Sequence, residues 1–164
     1  MVLDAALRFL ETRPRSVTEV RRRLATAGYR DDLVTAALDR LGALGILDDG
    51  SFARQWVESR DRARPRGERA LQAELRHKGI DAETIERTLE VRRNDAGVSD
   101  PGAPSPDESG ARRRLARSAA ALARVADPRA RRQKAYALLA RSGFSSELAS
   151  RLAREFTDET SDDD

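Results

Sequence analysis

Leu3, Ala6, Leu7 and Leu10 recur three and four residues apart, which lays them along one face of a helix over 2–12. The proline in "RPRS" at 13–16 disfavours helix before it and ends that segment. "SVTE", Ser16 to Glu19, has capping-box spacing: a hydroxyl for the third amide and a glutamate that reaches back. Val17, Val20 and Leu24 follow as a stripe, Gly28 supplies the left-handed residue that ends the helix, and Tyr29 folds back on Leu24. Asp31 or Asp32 caps the next helix, with Leu33, Val34, Ala37, Leu38 and Leu41 facing inward. "LGALGILDDG", 41–50, reads as a half-buried apolar connector. Asp48 or Asp49 starts a helix that turns Phe52, Trp56 and Val57 to the core. After the break at "RPRGE", 64–68, Leu71 and Leu75 lead to Gly79; Ile80 packs back, Asp81 caps, and Ile85 and Leu89 form the next stripe.

Residues 91–110 break the pattern. Gly, Pro, Ser and Asp crowd together there with almost no apolar anchor, the composition of a flexible linker or insertion. Helical spacing resumes with Leu115, Ala119, Leu122 and Val125. Asp127 and Pro128 open another helix, in which Ala135, Leu138 and Leu139 run to Gly143 and Phe144. Ser145 caps a last helix with Leu148, Leu152 and Phe156 inward, and an acidic tail, 157–164, reads as disordered.

Three stretches therefore share one design: "LATAGY", "LRHKGI" and "LARSGF". Aligned on Gly28, Gly79 and Gly143, an apolar residue stands eight before (Val20, Leu71, Ala135) and a leucine four before (Leu24, Leu75, Leu139). A further leucine stands nine or ten after (Leu38, Leu89, Leu152), and an upstream helix carries Leu7, Trp56 or Leu122. The pattern predicts an all-α chain of three tandem three-helix repeats, at 1–47, 48–90 and 111–156, stacked into an elongated, curved array. Helices this short do not persist alone, so each repeat depends on its shared core.

Composition supports this reading. Ala, Leu, Arg and Glu dominate and favour helix, and strand-favouring runs are absent. Aromatics are 4% of residues, so leucine and alanine must fill the core. The absence of cysteine excludes disulfides and thiolate metal sites and suits a reducing cytoplasm. No apolar run reaches the ~18 residues of a membrane span.

The net charge of +3 hides an asymmetry. Residues 1–90 hold 17 basic and 16 acidic side chains, residues 111–156 hold 12 and 3, and the last eight carry five acids and no base. A basic block before an acidic tail suits polyanion contact with an internal competitor, so removal of "DETSDDD" should strengthen polyanion binding. The other reading is that the arginines solvate helix faces.

Catalytic chemistry finds no footing. The chain has no phosphate-cradling GxxxxGK[ST]. Its one histidine, His77, sits near a helix C-terminus, where partial positive charge is favourable. Asp48 and Asp49 read as caps rather than a metal pair, and no cofactor or metal is expected.

The series "RSVTEVRRRL…GY", "LGILDDGSFARQWVESR" and "PRGERALQAELRHKGI" resembles the RecX family of bacterial recombination regulators. The resemblance covers 3–90 and, more loosely, 111–156; its most specific part is Asp48-Asp49, Phe52-Ala53, Trp56-Val57, Arg60, Gly67, Leu71, Leu75 and Lys78-Gly79-Ile80. It departs from the family at 91–110. The resemblance implies a cytoplasmic, monomeric, non-enzymatic protein that lies in the groove of the RecA filament on single-stranded DNA. There it would bridge protomers and restrain ATP hydrolysis, strand exchange and filament growth.

Candidate contacts to RecA or to phosphates of single- or double-stranded DNA are Arg60, Arg62, Arg64, Arg66, Arg69 and Lys78. The C-terminal block adds Arg112, Arg113, Arg114, Arg117, Arg129, Arg131, Arg132 and Lys134. Base stacking is not expected, because Phe52, Trp56, Phe144 and Phe156 hold core positions. The alternative functions are a stand-alone nucleic-acid-binding protein of helix-turn-helix-like modules and an adaptor without DNA contact.

Overall fold

The computed structural model describes residues 1–99 and 102–159. Among the described residues the chain is all helical: α1 (Val2–Leu10), α2 (Val17–Thr26), α3 (Asp31–Ala43), α4 (Asp49–Ala63), α5 (Glu68–His77), α6 (Ala82–Ser99), α7 (Pro106–Ala123), α8 (Pro128–Arg141) and α9 (Ser146–Glu159). These are three successive helix triplets. The compact units cut across the triplets: one holds residues 1–56 with 74–88, the other 57–73 with 89 onward.

In the first unit, α1–α3 close over Ala6, Val20, Leu24, Val34, Leu38, Leu41 and Leu47, with Leu3, Leu7 and Leu10 packed partly buried against them. The α3 stripe begins one residue later than expected, since Leu33 is 48% exposed and Val34 takes the inward position. Neither Asp31 nor Asp32 caps α3. Arg30 holds the N-cap position, and the two carboxylates occupy the first turn, where the helix dipole favours them. The Ser16–Glu19 capping box forms as expected. Asp48, rather than Asp49, caps α4 by accepting the amides of Gly50 and Ser51. The connector is more open than expected: Leu44 and Ile46 are exposed, while Leu47 is buried.

Gly28, Gly79 and Gly143 all adopt positive φ, at 84°, 79° and 86°. In each, the residue after the glycine donates its amide to the leucine carbonyl five back: Tyr29 to Leu24, Ile80 to Leu75 and Phe144 to Leu139. This is the bond that closes a Schellman corner. A fourth corner at Gly45 (φ 67°) repeats it, with Ile46 donating to Leu41. "LGALGI" has the same spacing, inside the stretch that reads from sequence as a connector.

Two corners are also docking points. Within the first unit, the α5 corner meets the N-terminus of α2: Ser16 Oγ donates to the Lys78 carbonyl at 2.6 Å. A Cβ on Gly79 would lie 2.2 Å from Thr18 Oγ1, so only glycine fits. Within the second unit, the α8 corner meets the N-terminus of α5: the Gly67 amide donates to the Ser142 carbonyl at 2.9 Å. There a Cβ on Gly143 would lie 2.3 Å from the Ala70 Cβ. In both joints a helix C-terminus, partially negative, faces a helix N-terminus, partially positive.

The second unit packs α7–α9 around Ala111, Leu115, Leu122, Ala135, Leu139, Phe144, Ala149 and Leu152. Phe156 is partly buried at the edge of this core rather than within it. Asp127, Ser145 and Asp81 act as the expected caps. The linker expected at 91–110 is largely helix: α6 runs to Ser99, and α7 starts at Pro106, capped by Ser105. Charge supplies the anchor that apolar residues do not, through Arg92 and Asp107 (below). Residues 100–101 of that stretch and 160–164 of the acidic tail lie outside the described residues. Thr157, placed in the tail by the sequence, is buried in α9.

Candidate cationic interface

The "RDRARPRG" break gathers charge in the second unit. Pro65 stops α4, which leaves its last carbonyls without helical donors. Arg113 and Arg117, one turn apart on α7, supply those donors. Arg113 Nη2 donates to the Asp61 carbonyl at 3.0 Å. Arg117 Nη1 donates to the Ala63 carbonyl at 2.6 Å, with Nη2 3.4 Å from the Arg62 carbonyl. Two guanidiniums thus cap one negative helix end. The approach of α7 is close at Gly110, where a Cβ would lie 3.3 Å from the Pro65 Cβ.

Beneath this cap lies a residue that sequence reasoning missed. Arg92 on α6 is buried, with its side chain 6% exposed. Its Nε and Nη2 each lie 2.9 Å from an oxygen of Asp61, and its Nη1 lies 2.7 Å from Asp107. The other Asp107 oxygen accepts the Glu68 amide at 3.1 Å. Burial lowers the Arg92 pKa, but the two carboxylates outweigh it and raise it overall, so the guanidinium stays charged. The register held the clue: Ile85, Leu89 and Arg92 continue one inward stripe.

The candidate contacts divide sharply. Arg62, Arg64 and Arg69 are exposed around the break, and Arg62 only grazes Glu58 at 3.9 Å. Arg60 and Arg66 are half-buried. Lys78 belongs to the first unit and is committed there: its ammonium lies 2.7 Å from Glu19 and 4.9 Å from the centre of the Trp56 ring. Burial raises the Glu19 pKa, but hydrogen bonds from Lys78 and the Ser16 amide hold it below the ordinary carboxylate value. Trp56 is half-buried rather than core, stacked on Phe52 and donating to Glu74 at 2.8 Å.

Most of the C-terminal basic block is likewise engaged. Arg112 pairs with Glu108 and Glu155. Arg131 donates to the Val125 carbonyl, and Arg132 bonds Thr157 and Asp158. Arg114 is half-buried, whereas Arg129 and Lys134 are exposed on α8. Arg62, Arg64 and Arg69 are thus the exposed candidates that flank the α4 break, whose last carbonyls the α7 pair caps. Among the described residues, no group of three or more His, Cys, Asp or Glu is placed to hold a metal. No described helix is long and apolar enough to cross a membrane.

Comparison with known proteins agrees with this architecture. Sequence models for the first and second three-helix domains of RecX match residues 3–41 and 48–89. The regulatory protein RecX of Mycobacterium avium (strain 104) is 42% identical over 144 residues, spanning 87% of this chain and 77% of its own. That of Thermobifida fusca (strain YX) is 37% identical over 149 residues, spanning 91% and 75%. The crystal structure of RecX from Lactobacillus salivarius superposes with a TM-score of 0.70 at 21% identity, over 94% of each chain. A second crystal structure of a regulatory protein RecX gives 0.72 at 20% identity, over 94% of this chain and 71% of that one. The structures establish the shared fold, and the sequence matches establish kinship: the chain belongs to the RecX family of regulatory proteins.

Proposed function

We propose that this protein regulates the RecA recombinase by binding its filament on single-stranded DNA along the helical groove. There it restrains ATP hydrolysis, strand exchange and filament growth, acting as a cytoplasmic monomer without catalysis of its own. Membership of the RecX family carries this reading. The exposed Arg62, Arg64 and Arg69 add the chemistry, because they place three cations within eight residues of chain around the α4 break. Such a group suits acidic side chains or phosphates, and its grip weakens with salt.

The test is direct. Purified protein added at equimolar level to RecA on single-stranded DNA should lower ATP hydrolysis and slow strand exchange. Unchanged rates of both would refute the proposal. Tight, sequence-dependent binding to bare DNA at physiological salt would point instead to a stand-alone DNA-binding protein.

A further inference from the structure

The docking corner occurs twice, and the series has an unmatched member. Second helices of successive triplets meet head to tail: the Gly79 corner of α5 takes Ser16 and Thr18 of α2, and the Gly143 corner of α8 takes Gly67 and Ala70 of α5. The corner of α2 itself, at Gly28, has the same positive φ and the same closing bond. A Cβ on Gly28 would nevertheless meet nothing within 4 Å. Gly45 is also open, but it ends a third helix and leads straight into the α4 cap, so it stands outside the series.

The surroundings of Gly28 say what would fit. A groove of about 370 Å³ adjoins the corner, floored by Ala5, Phe9, Ala27 and Tyr29 and walled by Arg8 and Arg23. Both arginines are exposed. The Phe9 ring already carries the guanidiniums of Arg15, at 4.1 Å, and Arg23, at 5.9 Å. It is therefore a cation–π platform rather than an open face for a nucleobase.

The two filled joints share three features on the inserted side. The N-cap residue is small, Ser16 or Gly67, and donates to the carbonyl before the corner glycine. The next turn carries an acid, Glu19 or Glu68, which in the first joint pairs with Lys78. An Arg-Pro-Arg segment precedes each, at 13–15 and 64–66.

We propose that the open corner at Gly28 docks the N-terminal turn of a helix from a protein partner. That turn carries Ser, Thr or Gly at its N-cap and Asp or Glu in its first turn. The N-cap group bonds the Ala27 carbonyl, the counterpart of Lys78 and Ser142 in the filled joints. The acid meets Arg23 and Arg8, and a partially positive helix end faces a partially negative one. Among second helices, those in the position that fills the two joints, a second copy of this chain offers only a poor occupant. Its remaining second helix, α8, starts with Asp127 and Pro128, and that carboxylate already accepts its own helix amides. The first turn of α8 has no acid and carries the cation Arg129 instead.

The test uses the full chain and a defined probe: a helical Ala/Glu/Lys peptide of about twenty residues, long enough to hold helix, opening with Ser-Val-Thr-Glu. Two-dimensional NMR should show saturable shifts at the amides of Ala27, Gly28 and Tyr29. Ala27→Trp, at an exposed position, should weaken binding about tenfold or more while leaving the melting temperature unchanged. A control peptide opening with Asp-Pro-Arg-Ala should not bind. Absence of saturable shifts at these residues up to millimolar peptide would overturn the proposal, as would equal binding to Ala27→Trp. Concentration-dependent self-association that Ala27→Trp abolishes would also overturn it, assigning the corner to a second copy.

Discussion

Ser142 gives its carbonyl to the amide of Gly67 at 2.9 Å, and this bond lets Gly143 sit where no side chain could. The corner glycines therefore serve two purposes, and mutation separates them. Gly28→Ala meets open space, so its cost is that of a left-handed alanine, about 1–2 kcal/mol. Gly79→Ala and Gly143→Ala add overlap with Thr18 and Ala70, which raises the cost to about 2–5 kcal/mol. Urea denaturation of the three variants checks the order. Equal losses at all three would mean that the joints do not constrain these positions.

Asp49 opposes its own burial. Desolvation raises its carboxyl pKa, the Val17 amide lowers it, and Asp48, Asp81 and Glu19 nearby raise it further. A carboxylate whose folded pKa is raised costs stability above that pKa, and the penalty fades as pH falls through it. Asp49→Asn keeps an acceptor for the Val17 amide, now 2.9 Å away, and removes the charge. It should stabilise the protein at neutral pH, by an amount that shrinks toward about pH 4. Asp49→Ala strands the amide and should cost about 1–3 kcal/mol. Denaturation of both variants at two pH values decides the matter.

Arg92 is held by two carboxylates in a buried site. Arg92→Met leaves Asp61 and Asp107 facing each other without a cation and should cost about 3–5 kcal/mol. Adding Asp61→Asn and Asp107→Asn to Arg92→Met should recover part of that loss, since no buried charge then remains. If the triple variant is less stable than Arg92→Met alone, repulsion between the acids is not the cause.

Glu108 gives an acid-sensitive contact of opposite sign to Asp49. Hydrogen bonds from Arg151 and then Arg112 pull its pKa from 4.5 to about 2. A depressed folded pKa contributes stability that is complete above the unfolded value and is lost as pH falls through the folded one. The window therefore runs from about pH 4.5 down to about pH 2. Glu108→Gln should melt earlier than the parent at neutral pH, and the two melting temperatures should converge across this window. Parallel melting curves at every pH would remove Glu108 from the account of acid sensitivity.

The sequence revealed corners more readily than charges. A leucine four before a glycine and a large apolar residue just after it mark a Schellman turn locally, so Gly28, Gly79 and Gly143 were legible without tertiary knowledge, whereas Leu38 and Gly42, followed by Ala43, stay within α3. Gly45 obeys the same rule, but the apolar run around it reads as a connector. The helical ends of 91–110 are hidden in the sequence for a different reason. Composition there predicts too little apolar burial, yet Arg92 and Asp107 anchor α6 and α7 by ion pairs formed with residues distant in sequence. The basic block at 112–132 shows the same limit: one-dimensional charge counts cannot distinguish an arginine that caps a helix from one that faces solvent.

That distinction separates two classes of arginine in the candidate interface. Arg113 and Arg117 spend their donors on the carbonyl end of α4, so Arg113→Gln with Arg117→Gln should lower stability by about 1–2 kcal/mol. Arg64 and Arg69 are exposed and carry charge without that structural duty. Arg64→Glu with Arg69→Glu should leave the melting temperature within a degree or two, since exposed substitutions rarely shift stability. The same pair should weaken binding to the RecA filament several-fold at low salt, with the difference from the parent shrinking as salt rises. Filament co-sedimentation across a salt series, run beside thermal melts, reads both effects. Loss of binding from the α7 pair alone, at unchanged stability, would move the contact surface from the α4 break to α7.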